Sequence, residues 1–462
     1  MTNALIVGAG SAGCVLAARL SADPARSVRV FEAGPVWPTA ADLPAELLDP
    51  GHLPIGPASE VVWRYPGNLL RGKLIGGSGA INGSYFIRPP ATDFAAWSAV
   101  AGPRWSFDSV LPVFCDLEND HDFGTAARHG SHGPIPISRT DDPAQFSADF
   151  AERCAAAGLT EIPDLNAGAA EVGFGRVPLA VSQGLRAGPA ITHLYPALER
   201  PNLTVTADTM VTRLLLRGPR VIGVEWARGR ERGRTYADRT VLCAGAIESA
   251  ALLIRSGIGP EPLLRSLGVP VVQPAPVGRW CTDHPEIGVE FPDGKPDEPA
   301  VPLEYVLEID DLELRPYTQK FTPGQRRIGV ALMHPESSGE LTLRSADPSV
   351  PAHVDQHYLR SELDRARLRE GVALTADLLG RRIGPADDPW LHAHLGTSQH
   401  LSGTCRMGRP DDDRAVVDEH GTVHGIEALA VADLSIVPVP LRRGPQATTV
   451  MVAAHIADYM VM

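Results

Sequence analysis

A chain of 462 residues, 44% hydrophobic and 21% charged, has the make-up of a globular protein long enough for two or more domains. Its formal net charge of −13, with no local basic run, excludes nucleic acid as an expected partner, because phosphate binding needs Lys and Arg gathered on one face. The six cysteines, Cys14, Cys115, Cys154, Cys243, Cys281 and Cys405, form no CxxC pair, which argues against a disulfide framework or structural zinc and for free thiols in the cytoplasm.

In chain order, the first residues show no basic n-region and no cleavage site, so no secretory signal is expected. Ala4 to Val7 reads as a short strand, Gly8-Ala9-Gly10-Ser11-Ala12-Gly13 as a glycine turn, and CVLAARLSA as a helix with Val15, Leu16, Ala18 and Leu20 on one face. SVRVFEA follows as a second strand ending on Glu32. In this pattern Gly8 permits a tight turn, Gly10 lets the backbone approach a pyrophosphate, and Gly13 allows close packing of helix on strand. The helix N-terminus offers N–H groups to the phosphates, and Glu32 is placed to accept hydrogen bonds from a ribose. The unit predicts a dinucleotide. It does not choose between FAD and NAD.

Two later stretches are informative. Arg71 to Asn82, RGKLIGGSGAIN, has four glycines between Gly72 and Gly79, which suits backbone lying against a flat, bulky ligand. Between them and the next lie NLTVTAD, VTRLLL, VIGVEWA and RTVLCAG, strand-like runs split by turns. Gly245 to Gly259 then reads as a strand end, a helix and a glycine stop. The paired histidines His129 and His132, and His392 and His394, are expected in solvated or packed loops, and no metal site is expected. Late in the chain His400 lies in HLSGTCRMG, near a Cys405 read as a buried spectator. In GPQATTVMVAAHIAD, Gly444 would cap a helix begun by Pro445 and running through Ala457. That last apolar segment carries His455 and Asp458 and is too short to span a bilayer.

These stretches resemble the glucose–methanol–choline (GMC) flavin oxidoreductases. Arg71 to Asn82, continued through Tyr85-Phe86-Ile87-Arg88-Pro89 and Asp93-Phe94, resembles the family's first signature; Gly245 to Gly259 resembles the second except at Ala250, where Ser or Pro is usual. Trp105 with VLPVF, Asp283-His284-Pro285, His400 and Val431-Ala432-Asp433 extend the likeness, although Trp280 stands where Asn is common. The resemblance implies an α/β fold: a Rossmann-like FAD-binding domain of the GMC type and a second α+β substrate domain built on an antiparallel sheet. The first would comprise residues 1–95, 195–275 and 395–462, the second 96–194 and 276–394. It implies FAD held by Gly8, Gly10, Ser11, Ala12, Gly13, Glu32, Arg71, Gly76, Gly77, Ser78, Asn82, Asp433 and Gln446, with adenine contacts from the backbone around Val211. Some members bond the flavin covalently through a histidine at the position of Ile81, so FAD is expected to be non-covalent here.

The same resemblance makes His400 the catalytic base. Oxidising an alcohol removes a hydride, which flavin N5 accepts, and a proton, which an imidazole is suited to take near neutral pH. Most members add a second His or Asn where this chain has Gly444; Arg442, Arg443 or Gln446 could supply the missing donor. The expected activity is FAD-dependent oxidation of a small-molecule alcohol, as a dehydrogenase rather than an oxidase, with a quinone, respiratory component or oxygen as acceptor. Compact length, Gly444 and GGSGAINGSYF also resemble actinobacterial members associated with mycofactocin, which would make reduced mycofactocin the alcohol. The alternative is a flavin-bearing electron carrier or catalytically silent relative. A nicotinamide reductase is disfavoured by the lack of a second GxGxxG unit.

Overall fold

The computed structural model describes residues 2–169, 172–296 and 298–461. Thr2–Val7 lies inside a parallel sheet, and its Ala4, Leu5, Ile6 and Val7 are buried, as a strand covered on both faces requires. The parallel order is Leu203–Thr206, Val28–Phe31, Thr2–Val7, the end of Glu231–Leu242, and Leu429–Val431. Glu231–Leu242 serves two sheets. Its first half pairs antiparallel with Arg220–Arg228, which pairs antiparallel with Met210–Arg217. Its burial changes to match, from mostly exposed at the start to buried at Thr240, Val241 and Leu242.

Helix Ser11–Leu20 follows the glycine turn and packs against Gln446–Val461. In the latter every residue from Ala447 to Ala457 is buried, so it is a core helix with no solvent stripe over that span. It starts at Gln446, with the Pro445 carbonyl accepting the Thr449 N–H at 2.8 Å, and it extends past Ala457 to Val461. The helix therefore begins one residue later and ends four residues later than expected.

A second sheet is antiparallel throughout, in the order Leu395–Thr397, Pro285–Pro292, Gln325–Leu332, Leu312–Tyr317, Tyr305–Ile309, Gly173–Arg176. Helices Gln145–Ala156 and Glu362–Leu379 cover one face, packing Phe150, Leu368 and Val372 with Leu314, Ile328 and Val330. Strand alternation puts Arg315 and Tyr317 on the opposite face from Leu314, toward the first unit. The two units interleave more than blocks of sequence suggest. Leu395–Thr397, just inside the expected boundary at 395, joins the second sheet, while Trp105 and Phe114 from the 96–194 block pack into the first core. Among the described residues, no helix is long and apolar enough to cross a membrane.

Candidate active site

A cavity of about 510 Å³ runs from the glycine turn to the open face of the antiparallel sheet. At one end, helix Ser11–Leu20 has Gly10 as its N-cap and no side chain capping it, so its first N–H groups remain available to an anion. The floor there is backbone on backbone. Gly77 has φ +55°, and a Cβ on it would lie 2.7 Å from Gly10 Cα. Gly76 holds the two loops together, its N–H donating to the Ala9 carbonyl at 2.7 Å. Gly13 stands behind this wall: a Cβ on it would fall 1.9 Å from the Gly8 carbonyl oxygen, which is the close packing expected of it.

Gly8, Gly10, Ser11, Ala12, Glu32, Val211 and Asp433 all line the cavity. Glu32 is buried, and its two carboxylate oxygens accept the Ala9 and Gly34 N–H groups, each at 2.8 Å. Burial pushes its pKa up to about 7 against those bonds. Lone pairs remain for ribose hydroxyls. Asp433 accepts from the Gly245 and Ser435 N–H groups at 2.8 Å and from the Ser249 hydroxyl at 2.6 Å, tying the second signature helix to the C-terminal segment. Gln446 reaches across the chain to Ser11 Oγ at 3.2 Å and Asn82 Nδ2 at 3.5 Å. Ser78 Oγ accepts the Gly72 N–H. Arg71 lines the cavity with its Nη2 buried and unpartnered. An uncapped helix start, a buried acid and an orphaned guanidinium nitrogen fit a dinucleotide with a large aromatic head. Ile81, also in the wall and packed with Leu47, Val62 and Leu74, offers no nucleophile for a covalent bond.

At the other end stands His400, lining the cavity. Gln399, before it, adopts φ 66° and is pinned in that conformation. Its Oε1 accepts the Leu70 N–H at 2.8 Å and Arg71 Nη1 at 3.0 Å, and its Nε2 donates to the Asn68 carbonyl. Asp283 Oδ1 accepts both the His284 and His400 N–H groups at 2.8 Å. The imidazoles of His284 and His400 then meet edge to face, Nδ1 to Nδ1 at 2.8 Å. His284 Nε2 lies 2.7 Å from the Leu441 carbonyl, which can only accept. His284 therefore carries its proton on Nε2, and its bare Nδ1 accepts the proton on His400 Nδ1. His400 Nε2 is left with a lone pair. Burial, then His284, Arg315 and Arg71, holds the His400 pKa well below the usual histidine value, so the ring is neutral.

The expected substitutes for a side chain at 444 are engaged elsewhere. Arg442 pairs with Asp93 at 3.1 Å, and buried Arg443 pairs with Glu308 at 2.6 Å. Gln446 points to Ser11 and Asn82. The space beside Gly444 belongs to Tyr85: a Cβ on Gly444 would lie 3.0 Å from that ring and 3.8 Å from His400 Cε1. The Tyr85 hydroxyl donates to Glu313 Oε2 at 3.0 Å. Sequence reasoning missed Gln399, Tyr85 and the partnership of His284 with His400. Only Asp283-His284-Pro285 signalled the last.

Cys405 is buried and its thiol pKa is raised by burial, as befits a spectator. His392 and His394 are exposed, His394 stacking on Trp390. His129 lies in a packed loop, one of the two settings expected of it. It is buried between Glu118, Asp120 and Asp164, the first two of which form with it the one metal-like grouping among the described residues. Arg88 and Arg139 already pair with these acids, so the grouping has its own cations.

Family models described as GMC oxidoreductase match residues 2–286 and 335–453. The chain is similar to an uncharacterized GMC-type oxidoreductase in the thcA 5' region of Rhodococcus erythropolis, 40% identical over 97% of this chain and 96% of that one. It is 31% identical to the mitochondrial choline dehydrogenase of Homo sapiens over 98% and 89% of the two chains. Its fold is similar to the crystal structure of pyridoxine 4-oxidase from Mesorbium loti, with a TM-score of 0.92, 28% identity and 99% of both chains covered.

Proposed function

The chain belongs to the GMC oxidoreductase family, whose members are FAD-binding flavoproteins, and on that premise we propose that it oxidises an alcohol to a carbonyl with His400 as the base. The observation that carries the reading is the proton chain from Leu441 through His284 to His400, which leaves Nε2 bare toward the cavity. FAD, when bound, supplies the hydride acceptor at N5. The residues that would hold it are Gly8, Gly10, Ser11, Ala12, Gly77, Ser78, Glu32, Arg71, Asn82, Val211, Asp433 and Gln446, with Gly13 and Gly76 supporting them from behind.

His400 Nε2 takes the hydroxyl proton as the C–H bond gives up its hydride, and the carbonyl forms. The imidazolium then produced keeps its Nδ1–H bond to neutral His284, a charge-assisted bond stronger than the one before it. Asp283 fixes the backbone of both rings, so neither has to move during the transfer.

The finer reading is a dehydrogenase that passes electrons to a quinone or protein, with reduced mycofactocin as the alcohol. It is supported by the compact chain and by Gly444. An electron carrier would have no use for a neutral imidazole with a directed lone pair. The test is anaerobic mixing of FAD-loaded protein with an alcohol panel that includes reduced mycofactocin, followed by oxygen. An enzyme bleaches its flavin band, and His400→Ala slows the bleaching by about a hundred-fold or more. Bleaching indifferent to that substitution overturns the role of His400, and slow reoxidation by oxygen supports the dehydrogenase.

A further inference from the structure

A second, smaller cavity lies beside the Gly76 to Asn82 loop, walled in part by Asn82, Ser84, Phe86, Ile135, Arg186 and Gln446. The centre of a water-sized body has about 10 Å³ there in which to move, which is room for one small ion or molecule. Arg186 is 2% exposed and has no carboxylate partner among the described residues. Its Nε donates to the Leu47 carbonyl at 3.1 Å, and its Nη2 donates to the carbonyls of Asp49 at 2.9 Å and His52 at 2.7 Å. Nη1, the remaining corner of the guanidinium, is buried without a partner. Ser84 supplies a second orphan. Its N–H donates to Asn82 Oδ1 at 2.9 Å and its carbonyl accepts the Ala180 N–H, but its hydroxyl is buried with no partner.

We propose that this cavity binds a small monovalent anion, of chloride size, between Arg186 Nη1 and Ser84 Oγ. A buried donor without an acceptor is costly, and these two line one hole. Charge decides between an ion and a water. Carbonyl oxygens satisfy the hydrogen bonds of Arg186 but carry no net charge, and no acidic side chain lines the cavity. Asp49, which acts on Arg186 electrostatically, is exposed, and its Oδ1 is taken by the Gly51 N–H at 2.8 Å. Burial outweighs it and pushes the Arg186 pKa down to about 10, which still leaves the group charged at neutral pH. A water would accept both hydrogen bonds and leave that charge uncompensated in a dry site. An anion answers both needs. The site also touches the flavin-holding elements. Asn82 and Gln446, which meet at 3.5 Å, line this cavity and the larger one alike. Gly188 in its wall comes so close to the loop that a Cβ on it would lie 2.8 Å from the Gly79 carbonyl oxygen. The carbonyls gathered by Arg186 lead directly into Leu53 and Ile55 of the larger cavity, so an ion that fixes Arg186 steadies that wall too.

The test exchanges FAD-loaded protein into sodium gluconate, whose anion is too large for the cavity, and titrates it with sodium chloride at constant ionic strength. The melting temperature is expected to climb and saturate, gaining roughly 2–3 °C at a hundredfold excess over the Kd. Ser84→Ala keeps Arg186 and its three carbonyls, and is expected to raise the chloride concentration of half-effect by about tenfold or more. Arg186→Gln is expected to abolish the rise; if that variant does not fold, Ser84→Ala decides alone. A rise with the same midpoint in the parent and Ser84→Ala places the ion elsewhere and overturns the proposal. A flat response in the parent is resolved by ion chromatography of the gluconate-exchanged protein after unfolding. One chloride released per parent chain, and less from Ser84→Ala, shows a retained ion and supports the proposal. Equal release from both, or none, overturns it, the latter because water alone then fills the cavity.

Discussion

His284 and His400 face each other through their Nδ1 atoms, 2.8 Å apart, and one proton lies between them. The Leu441 carbonyl decides whose proton it is, because it holds the other proton of His284 on Nε2. The pair therefore acts as a tautomer lock on His400. Replacing His284 by Ala removes the acceptor and lets the proton of His400 move to either nitrogen. Flavin reduction in stopped-flow mixing is expected to slow by about ten- to a hundred-fold, with flavin content unchanged. An unaltered rate would show that the lock is irrelevant to the chemistry.

The pH dependence follows from the same geometry. Burial comes first, then the neighbouring His284, Arg315 and Arg71, in holding His400 well below the ordinary histidine range. A base must be unprotonated, and a lowered pKa extends the unprotonated range toward acid. The rate of flavin reduction is therefore expected to stay flat as pH falls through 6.5 and to decline only in more acidic solution. Arg315→Met removes one of the positive charges and should move that decline to higher pH. A decline centred near 6.5 in the parent protein would contradict the buried, neutral ring.

Much of the nucleotide end was legible because it is local. A glycine turn, a helix start and a strand-ending acid lie within Gly8 to Glu32, and each has a mechanical reason visible in the residues. The base was legible only as one histidine in a family pattern. Its partner lies 116 residues away, and its conformation depends on Gln399 held at φ 66° by residues near Leu70, contacts that no periodicity encodes. Arg442 and Arg443 looked like spare donors beside Gly444. Their partners, Asp93 and Glu308, come from distant segments, and half-buried Arg442 and buried Arg443 are committed to the carboxylates that folding brings to them. Leu395–Thr397 misled in the same way, since an edge strand is assigned by its partner Pro285–Pro292 and not by its own three residues.

Gly444 and Tyr85 form a steric couple next to the base. A methyl group at 444 would press on the Tyr85 ring at 3.0 Å, tighter than ordinary contact, and that ring is tethered through its hydroxyl to Glu313. Gly444→Ala is expected to slow flavin reduction by several-fold, about 1 kcal/mol for a modest overpacking. Tyr85→Leu removes the ring that resists. Combined with Gly444→Ala it should recover part of the loss, which a double-mutant cycle on the reduction rate measures as a favourable coupling. Simple additivity of the two substitutions would deny the couple.

The last prediction concerns stability and rests on His129. Its Nδ1 faces Glu118 at 3.0 Å and Asp120 at 3.2 Å, and its Nε2 faces Asp164 at 2.8 Å. A neutral ring would aim a lone pair at one of these carboxylates, so both nitrogens carry protons. Burial opposes that charge, but the hydrogen bonds to Asp120, Asp164 and Glu118 prevail and push the pKa up to about 11. Arg88 pairs with Glu118, and Arg139 with Asp120, Asp122 and Asp164, so three cations with the ring face four acids, and the protonated ring already occupies the space between the carboxylates. The folded protein keeps a proton on His129 where the unfolded chain, with a pKa of about 6.5, has lost it. This contribution to stability is complete below about pH 6.5 and shrinks as pH rises toward 11. His129→Ala should cost about 3–5 kcal/mol, because it leaves buried carboxylates short of a cation, and the loss should be larger at pH 6 than at pH 9. Thermal unfolding of both proteins across that range checks the sign. A chelator should leave the melting temperature unchanged, and a fall on chelation would mean that a metal, not the ring, holds the cluster.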